Sequence, residues 1–556
     1  MNPNNDWPVA DSLKRLRQHQ SGWERLEGLS GLKEPIVIPM QRGDLGVLYG
    51  GVLAQADPAG RFHFTKLAST FHHIQQENWE ISPDIPSVGG FGMDPAQDLL
   101  VWITYPTPAV PMLSLHLRTL KKAEKHPLAC YEVICHNHSI VGPDWYYSIA
   151  IMQDYIGWWV SSLAPYQLIE DGIASFFVWN WKEGRLELVS AVISYLHQPS
   201  PALMDVWSQD ISTPYTGSLA FISDRHVVLA CRYLAPLNDV NDGTEIYLML
   251  IDFKAEGATH KPIEEVRNAI KLCYPARENG AFYENFHLFS DPAPGWKPND
   301  DRTPFFVAKE NRVFALSMDV LMADGRRLGF YHLIPLSALK KYLGRINILS
   351  RQEMQWSEWA STSTRLLRIS VLPFFVLVYS TFGSRFIRAT VSRHAGERGR
   401  IVAQVYDFNQ LALQGKNSES RADYMCILKS ELLKDRDSIW TENVETSLPY
   451  RRFSRTLPVK ASPAHKYLMC TADHIVLADV SVMNPLIFLN TDSAQFREKN
   501  RNTWYSSCRR RRPGSSRGSP VEGPLFSASQ QDHLLTHSYI LPWLRVVHCA
   551  GLFILS

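Results

Sequence analysis

Cysteine is scarce in this chain: eight residues in 556, at Cys130, Cys135, Cys231, Cys273, Cys426, Cys470, Cys508 and Cys549. No spacing recurs among them, which excludes a disulfide-stapled scaffold. Residues 1–10 are polar and lack an apolar leader core, so reduced thiols in the cytoplasm or nucleus are expected. Charge is also low. Asp, Glu, Lys and Arg make up 20% of the residues and the formal net charge is +2. Composition therefore gives no reason to expect a nucleic-acid or polyanion partner. No apolar run is long enough to cross a bilayer. The best, 369–384, contains Pro373 and several hydroxyl residues and falls short of the roughly 20 residues a spanning helix needs. It reads as buried strands, and no membrane partner is expected. Glycine (31) and proline (34) are too few for a collagen-like or linker-dominated chain.

Catalytic signatures are missing too. There is no G-x-x-x-x-G-K-[ST] loop, no G-x-S-x-G elbow and no H-E-x-x-H helix. Gly89-Gly-Phe-Gly92 lacks the third glycine of a dinucleotide loop. These absences remove the usual signs of nucleotide binding, serine hydrolysis and zinc proteolysis, and no cofactor is expected.

Apolar and aromatic residues are plentiful. Hydrophobic residues reach 45% and aromatics 11%, with 16 Trp, 22 Tyr and 25 Phe, a composition that suits strands. The chain opens with a helix, capped at Asp11 or Ser12, with Leu13, Leu16, Trp23 and Leu26 near one face and Gly28 to end it. From Pro35 onward, short apolar runs alternate with turn residues, the pattern of many strands. Two helical islands are expected, at 262–272 and 336–343.

Two kinds of strand recur. In the first, a turn acid or amide precedes an apolar strand: Asp98-Leu-Leu-Val-Trp102, Asp224-Arg-His-Val-Val-Leu229, Asn311-Arg-Val-Phe-Ala315 and Asp473-His-Ile-Val-Leu477. In the second, the strand ends on an aromatic after a polar residue: Val178-Trp-Asn-Trp181, Leu250-Ile-Asp-Phe253 and Val405-Tyr-Asp-Phe408. The first kind precedes the second by about 20–30 residues, as strands do within a propeller blade. Lys182-Glu-Gly-Arg185 reads as a hairpin turn within the same pattern. The fold class expected is therefore all-β: an irregular β-propeller over residues 35–495, of about seven blades with six to eight allowed. Residues 1–34 form an N-terminal linker and helix, and 496–556 a basic, largely disordered tail. Two separate β-sandwiches are the alternative. Trp102, Trp179 and Trp181 are expected inside, at least two of the three.

Candidate chemistry is thin. Cys130-Tyr-Glu-Val-Ile-Cys135-His136-Asn-His138 places four metal-ligand types within nine residues. Zinc wants a second, separated pair that is missing here, so these residues are expected not to converge. His72-His73 reads as a solvent-facing loop. Trp145-Tyr-Tyr147, Tyr155, Trp158-Trp159 and Trp179-Asn-Trp181 read as packing between blades rather than as a ligand cage. Glu264-Glu265 reads as a solvated helix face. Residues 497–517 carry net +7, which leaves the rest of the chain at −5. The run Cys508-Arg-Arg-Arg-Arg-Pro-Gly-Ser-Ser-Arg-Gly518 has no apolar anchor, and disorder is expected over 506–531. Beyond it, Gly551-Leu-Phe-Ile-Leu555 is apolar enough to dock as a short strand or helix. No catalytic, cofactor or metal residue is assigned.

The ordered segments resemble the basidiomycete-type fungal F-box proteins, whose F-box precedes an irregular propeller-like region. Carrying the resemblance are Ser12-Leu-Lys-Arg-Leu16 with Trp23-Glu-Arg-Leu26, Tyr49-Gly-Gly-Val52, Phe91-Gly-Met-Asp-Pro-Ala-Gln-Asp-Leu-Leu100, His116-Leu-Arg118 with His126-Pro-Leu-Ala129, Val178-Trp-Asn-Trp-Lys-Glu-Gly184 and Gly383-Ser-Arg385. It spans about residues 12–490. The resemblance implies a non-catalytic substrate receptor of an SCF-type ubiquitin ligase, with recognition on blade loops and Skp1 held by the F-box. Only eleven residues precede Ser12, so the F-box itself is expected to be missing here and Skp1 to bind only if one lies upstream. The other readings are an orphan or degenerate propeller without ligase delivery, and a propeller enzyme with acids or histidines converging in its channel.

Overall fold

In a ring of sheets each strand is buried on both faces, so apolar residues must fill both phases of its alternation. That is the arrangement found in the computed structural model of the chain. Leu99, Val101 and Ile103 face one neighbouring sheet, while Leu100 and Trp102 of the same strand face the other. Trp158 and the adjacent Trp159 likewise enter different cores. The structure describes residues 7–26, 36–39, 41, 46–85, 88–104, 112–137, 145–162, 172–194, 218–233, 245–258, 261–278, 281–298, 303–322, 324–346, 352–369, 380–392, 400–413, 424–433, 439–460, 466–479 and 551–555. The expected disorder over 506–531 therefore lies outside the described residues.

Among the described residues there are seven sheets of four or five strands and one extra two-stranded hairpin. Six blades each have four antiparallel strands in chain order, read from the first strand outward; Lys261–Pro262 and Gln352–Met354 add short parallel fifth strands to the third and fourth, and Tyr424–Ile427 an antiparallel one to the sixth. Blade 1 runs from Gly46–Tyr49 to Glu77–Ile81, blade 2 from Val88–Asp94 to Val133–Asn137, and blade 3 from Trp145–Met152 to Arg185–Ser194. Blade 4 runs from Ser218–Phe221 to Ala269–Cys273, blade 5 from Phe282–Phe289 to Arg365–Ile369, and blade 6 from Thr381–Phe382 to Tyr450–Lys460. The seventh is assembled from both ends of the chain. Lys466–Cys470, Ile475–Asp479 and Gly551–Leu555 form its first three strands, and Ile36–Pro39 its fourth. A β-propeller of about seven blades, as the strand spacing suggests, is what the chain forms.

Each apolar core lies between consecutive blades. Blades 7 and 1 are joined by polar contacts: Gln55 Nε2 donates to the Pro39 carbonyl (3.4 Å) and Gln41 N to Gln55 Oε1 (3.1 Å). Close approach of the sheets requires glycine at Gly157, where a Cβ would lie 2.3 Å from Leu219 of blade 4.

One hydrogen bond recurs in blades 1 to 6. The residue just after the third strand donates its N–H to a carbonyl at the turn between strands one and two. The pairs are Leu67→Gly51, Leu120→Asp98, Trp181→Asp154, Phe253→Arg225, Leu336→Arg312 and Phe408→Ser384, at 2.7–3.1 Å. Every donor residue is a buried apolar one. The two recurring sequence patterns are thereby explained. Turn acids such as Asp98 and Asp224 lead into second strands, and the terminal aromatics Trp181, Phe253 and Phe408 follow third strands. The polar residue before each aromatic locks the turn: Asp252 Oδ1 accepts from Ala255 N (3.0 Å), Asn180 Oδ1 from Glu183 N (3.1 Å) and Asp407 Oδ1 from Asn409 N (3.1 Å). Trp102 and Trp181 are fully buried and Trp179 half-buried, so the strand register was correctly inferred.

Two local expectations are corrected. Residues 262–272 are not a helix: a short 3₁₀ turn, Ile263–Glu265, leads into the strand Ala269–Cys273. Ala269 enters one inter-blade core while Ile270 and Leu272 enter the other, a period of two that pairing with Glu245–Asp252 enforces. The island at Leu336–Leu343 is helical as expected. The opening helix, α1 (Val9–Arg25), is present but turned. It starts after Pro8, not at an Asp11 or Ser12 cap, and ends on Leu26 in the left-handed conformation. Ser12, His19, Gly22 and Trp23 are buried, whereas Leu13 is exposed. Polar partners on the ring select that face.

Candidate functional site

Because each blade's strands alternate in direction, turns between strands one and two share an end with connections between strands three and four. This tip face also receives α1. Four pieces of α1 hold it there: Trp23 Nε1 donates to the Ala472 carbonyl (2.9 Å), Glu24 pairs with Arg451 (3.0 Å), Gln20 accepts from Arg385 (3.3 Å) and the Leu26 carbonyl accepts from Arg455 (2.5 Å). Arg385 also lies over the Trp23 ring at 4.5 Å.

The connection between strands one and two of blade 5 is long, 290–312, and runs across this face as a strap. Its Asp291 carbonyl accepts from Gly383 N of blade 6 (2.9 Å). Ala293 N donates to the Tyr49 hydroxyl of blade 1 (3.0 Å) and Trp296 Nε1 to Asp94 Oδ1 of blade 2 (3.0 Å). Gly50, at φ +57°, leaves room for the Trp296 ring; a Cβ there would stand 2.8 Å from it. Between the strap and the tips of blades 2 and 3 opens a cavity of about 410 Å³, lined by Asp94, Gln97, Gln153, Asp154, Lys182 and Trp296 among others. Burial pushes the Asp94 carboxyl up, partly offset by donors from Gln97, Ala96 and Trp296. Asp154 is paired with Lys182 at 2.6 Å. Of the ionisable groups in the cavity, Asp154 and Lys182 thus neutralise one another, while Asp94 is held by neutral donors.

A second cluster sits where α1 meets blades 1 and 7. Asp473, in the turn of blade 7, lies 2.5 Å from His72 Nδ1 and 2.9 Å from His19 Nε2. His72 Nε2 lies 3.1 Å from the Phe305 carbonyl of the strap, and His474 Nε2 2.9 Å from the Ala68 carbonyl. Burial opposes charge on His72, but the Asp473 carboxylate beside it wins and raises its pKa. Burial also opposes charge on Asp473, yet His72 and His19 hold it well below the ordinary carboxylate range. Ser69, His72 and Asp473 are the residue types of a hydrolase triad, but the geometry is wrong. Ser69 Oγ (3.4 Å) and Asp473 Oδ2 both address Nδ1 of His72, whereas a relay needs them on opposite nitrogens. The cluster is a buried clasp between helix, strap and ring closure.

The sequence candidates fall elsewhere. His72 is buried and ion-paired, which corrects its reading as a solvent-facing loop residue; His73 is exposed and stacks on Trp7. Cys130 and Cys135 are exposed, His136 packs on the Phe177 ring, and His138 lies outside the described residues. Among the described residues no three His, Cys, Asp or Glu side chains are grouped to hold a metal. Tyr155, Trp158, Trp159 and Trp181 are buried between blades. Glu264 and Glu265 lie in the 3₁₀ turn. The arginine run 509–512 is outside the described residues. His19 and Trp296 carried no readable signal. Asp473 did, as the turn acid before a second strand, but its histidine partner lies 401 residues away.

Several exposed apolar side chains lie on this face. Nine large ones are exposed among the described residues: Val9, Leu13, Val37, Leu128, Tyr131, Leu411, Met425, Leu428 and Leu432. Val9 and Leu13 lie on α1, Leu128 and Tyr131 on the connection after the third strand of blade 2, and Leu411 just after the third strand of blade 6; Met425 lies on an edge strand of blade 6 (Tyr424–Ile427), Leu428 just after it, and Leu432 in the two-stranded hairpin. Val37 lies on the fourth strand of blade 7. Among the described residues, no helix is long and apolar enough to cross a membrane.

No family model and no curated protein matches the chain. Among solved structures it is similar to a chain of the S. cerevisiae complex of Dbp5 with Nup159, Gle1, IP6 and ADP, at 10% identity over 67% of this chain and 91% of that one, with a TM-score of 0.22. It is also similar to the WD40 domain of SCAP from fission yeast, at 11% identity over 76% and 94%, with a TM-score of 0.26. The fission yeast SREBP–SCAP binding domains align at 10% identity over 61% and 88%, with a TM-score of 0.25. At these scores the architecture rests on the sheet topology itself.

Proposed function

We propose that the chain is a non-catalytic protein-recognition module that docks its partner across the tip face. The observation that carries this reading is the placement of exposed apolar residues: Val9, Leu13, Leu128, Tyr131 and Leu411 lie on α1 or just after third strands, at that end. Connections on a rigid scaffold are where recognition is usually placed, and apolar side chains exposed there are available to a partner. The strap and the buried clasp fix the underlying surface, so a partner meets it without ordering it first. The resemblance to fungal F-box proteins extends the proposal: the partner is a ubiquitylation substrate, and Skp1 is engaged only through an F-box preceding residue 12. Charge placed on the face tests the docking claim. The variants Leu128→Asp and Leu411→Asp should fold normally and lose a partner that co-purifies with the unmodified chain; retention of that partner by both contradicts it.

A further inference from the structure

The outward side of α1 has a chemistry of its own. The inward side is fixed to the ring through His19, Trp23, Glu24 and Leu26, so the helix cannot roll to bury what it exposes. Outward, residues four apart form one row, Val9, Leu13, Arg17, Ser21 and Arg25, beside a second of Ala10, Lys14 and Gln18. Val9 is 73% and Leu13 38% exposed. Ala10, Leu13, Lys14, Arg17, Gln18 and Ser21 together form one open face of the helix. The N-terminal half of the rows is apolar and the C-terminal half cationic. Glu24, the acid nearest the basic end, is already paired with Arg451.

We propose that this face of α1 receives an acidic amphipathic helix of a partner protein, packed along it. The inference rests on the tip face being the docking face and names part of what docks there. Small side chains at Ala10 and Ser21 let a second helix approach to the usual 8–10 Å. Apolar residues of the incoming helix would cover Val9 and Leu13, and its carboxylates would face Lys14, Arg17 and Arg25. A seventeen-residue helix is about 25 Å long at 1.5 Å per residue, enough for four turns of partner. A lipid surface fits less well. The apolar part covers little more than one turn, whereas an interfacial helix needs an apolar face along its length.

The test uses the full chain and a labelled synthetic 18-residue peptide (all numbers here are design choices of order ~18 residues, four to five turns) built from Leu, Ala, Gln and Glu with its leucines on one face. Fluorescence anisotropy should show saturable binding that weakens with added salt. The pair Lys14→Glu with Arg17→Glu should weaken it about tenfold or more, and Leu13→Glu likewise, while circular dichroism and melting temperature stay unchanged. Equal binding of a scrambled peptide, or no loss in the charge-reversed pair, overturns the proposal. So does Lys14- and Arg17-dependent binding to phosphatidylserine vesicles without peptide binding. A natural partner that is lost on Leu128→Asp and Leu411→Asp but indifferent to the α1 variants leaves the tip-face reading standing and refutes this inference alone.

Discussion

Replacing Asp473 by Asn should destabilise the protein by an amount that depends on pH in a defined direction. Asp473 is the shared counter-ion of the clasp, 5% exposed and facing His72 and His19. Its own carboxyl is held well below the ordinary range, so it stays ionised from pH 5 upward. His72 has its pKa raised, with Asp473 overcoming the effect of burial. A base whose folded pKa exceeds its unfolded value of about 6.5 contributes stability that is full below that value and lost as pH rises through the folded pKa. Removing one partner of a buried ion pair costs about 3–5 kcal/mol, and that figure applies at pH 6, where His72 is charged. Towards pH 9 the imidazole loses its proton as pH rises through that raised value, and the cost falls toward that of the lost hydrogen bond, about 1 kcal/mol. Urea unfolding of both proteins at the two pH values, followed by tryptophan fluorescence, gives the difference directly. Buried histidines away from Asp473, such as His287 and His332, are common to both proteins and cancel. A destabilisation that is equal at pH 6 and pH 9, or greater at pH 9, refutes the assignment of an ion pair at this site.

Gly157→Ala should cost about 1–3 kcal/mol by overpacking, since its Cβ would lie 2.3 Å from Leu219, whereas Gly344→Ala, with open space around it, should change the urea midpoint little. Trp181→Ala should cost about 3–5 kcal/mol, clearly more than Trp179→Ala, because Trp181 is fully buried and also donates its indole N–H to the Gln153 carbonyl (2.9 Å). Burial pushes His287 down to about 4 and His332 to about 3. Both stay neutral in the folded chain while the unfolded chain takes up protons below about 6.5, so stability should fall as pH drops from 7 to 5; a urea midpoint that rises over that interval contradicts their burial as neutral rings.

How much of this was readable in advance follows from the range of each interaction. The turn acid before an apolar strand and the polar–aromatic ending of another are local patterns, and they gave the second and third strands of the blades because both residues act within their own blade. Asp98 and Trp181 are of this kind. The strand at Ala269–Cys273 was misread because its apolar residues also fit a helical spacing, and only pairing with a distant strand decides between the two. Leu13 was placed inside because it is apolar. The face of α1 is instead selected by Ala472, Asp473, Arg451 and Arg455, all contributed by blades 6 and 7. The clasp itself was hidden for the same reason: His72 without Asp473 reads as an ordinary loop histidine. The strap was hidden too. Nothing local marks Trp296 as the residue that reaches Asp94, 202 positions away.

The central claim is that a protein partner meets the tip face, and site-specific photo-crosslinking tests it most directly. A photo-reactive phenylalanine analogue is placed at Leu411 or Leu128 on the tip face, or at Ala59, an exposed residue of the blade 1 turn at the opposite end of its strands. In cells that make the chain, the first two positions should each capture the same protein, competed away by unlabelled chain, and position 59 should not. Capture from position 59 with none from 411 or 128 would place recognition on the other face and contradict the account.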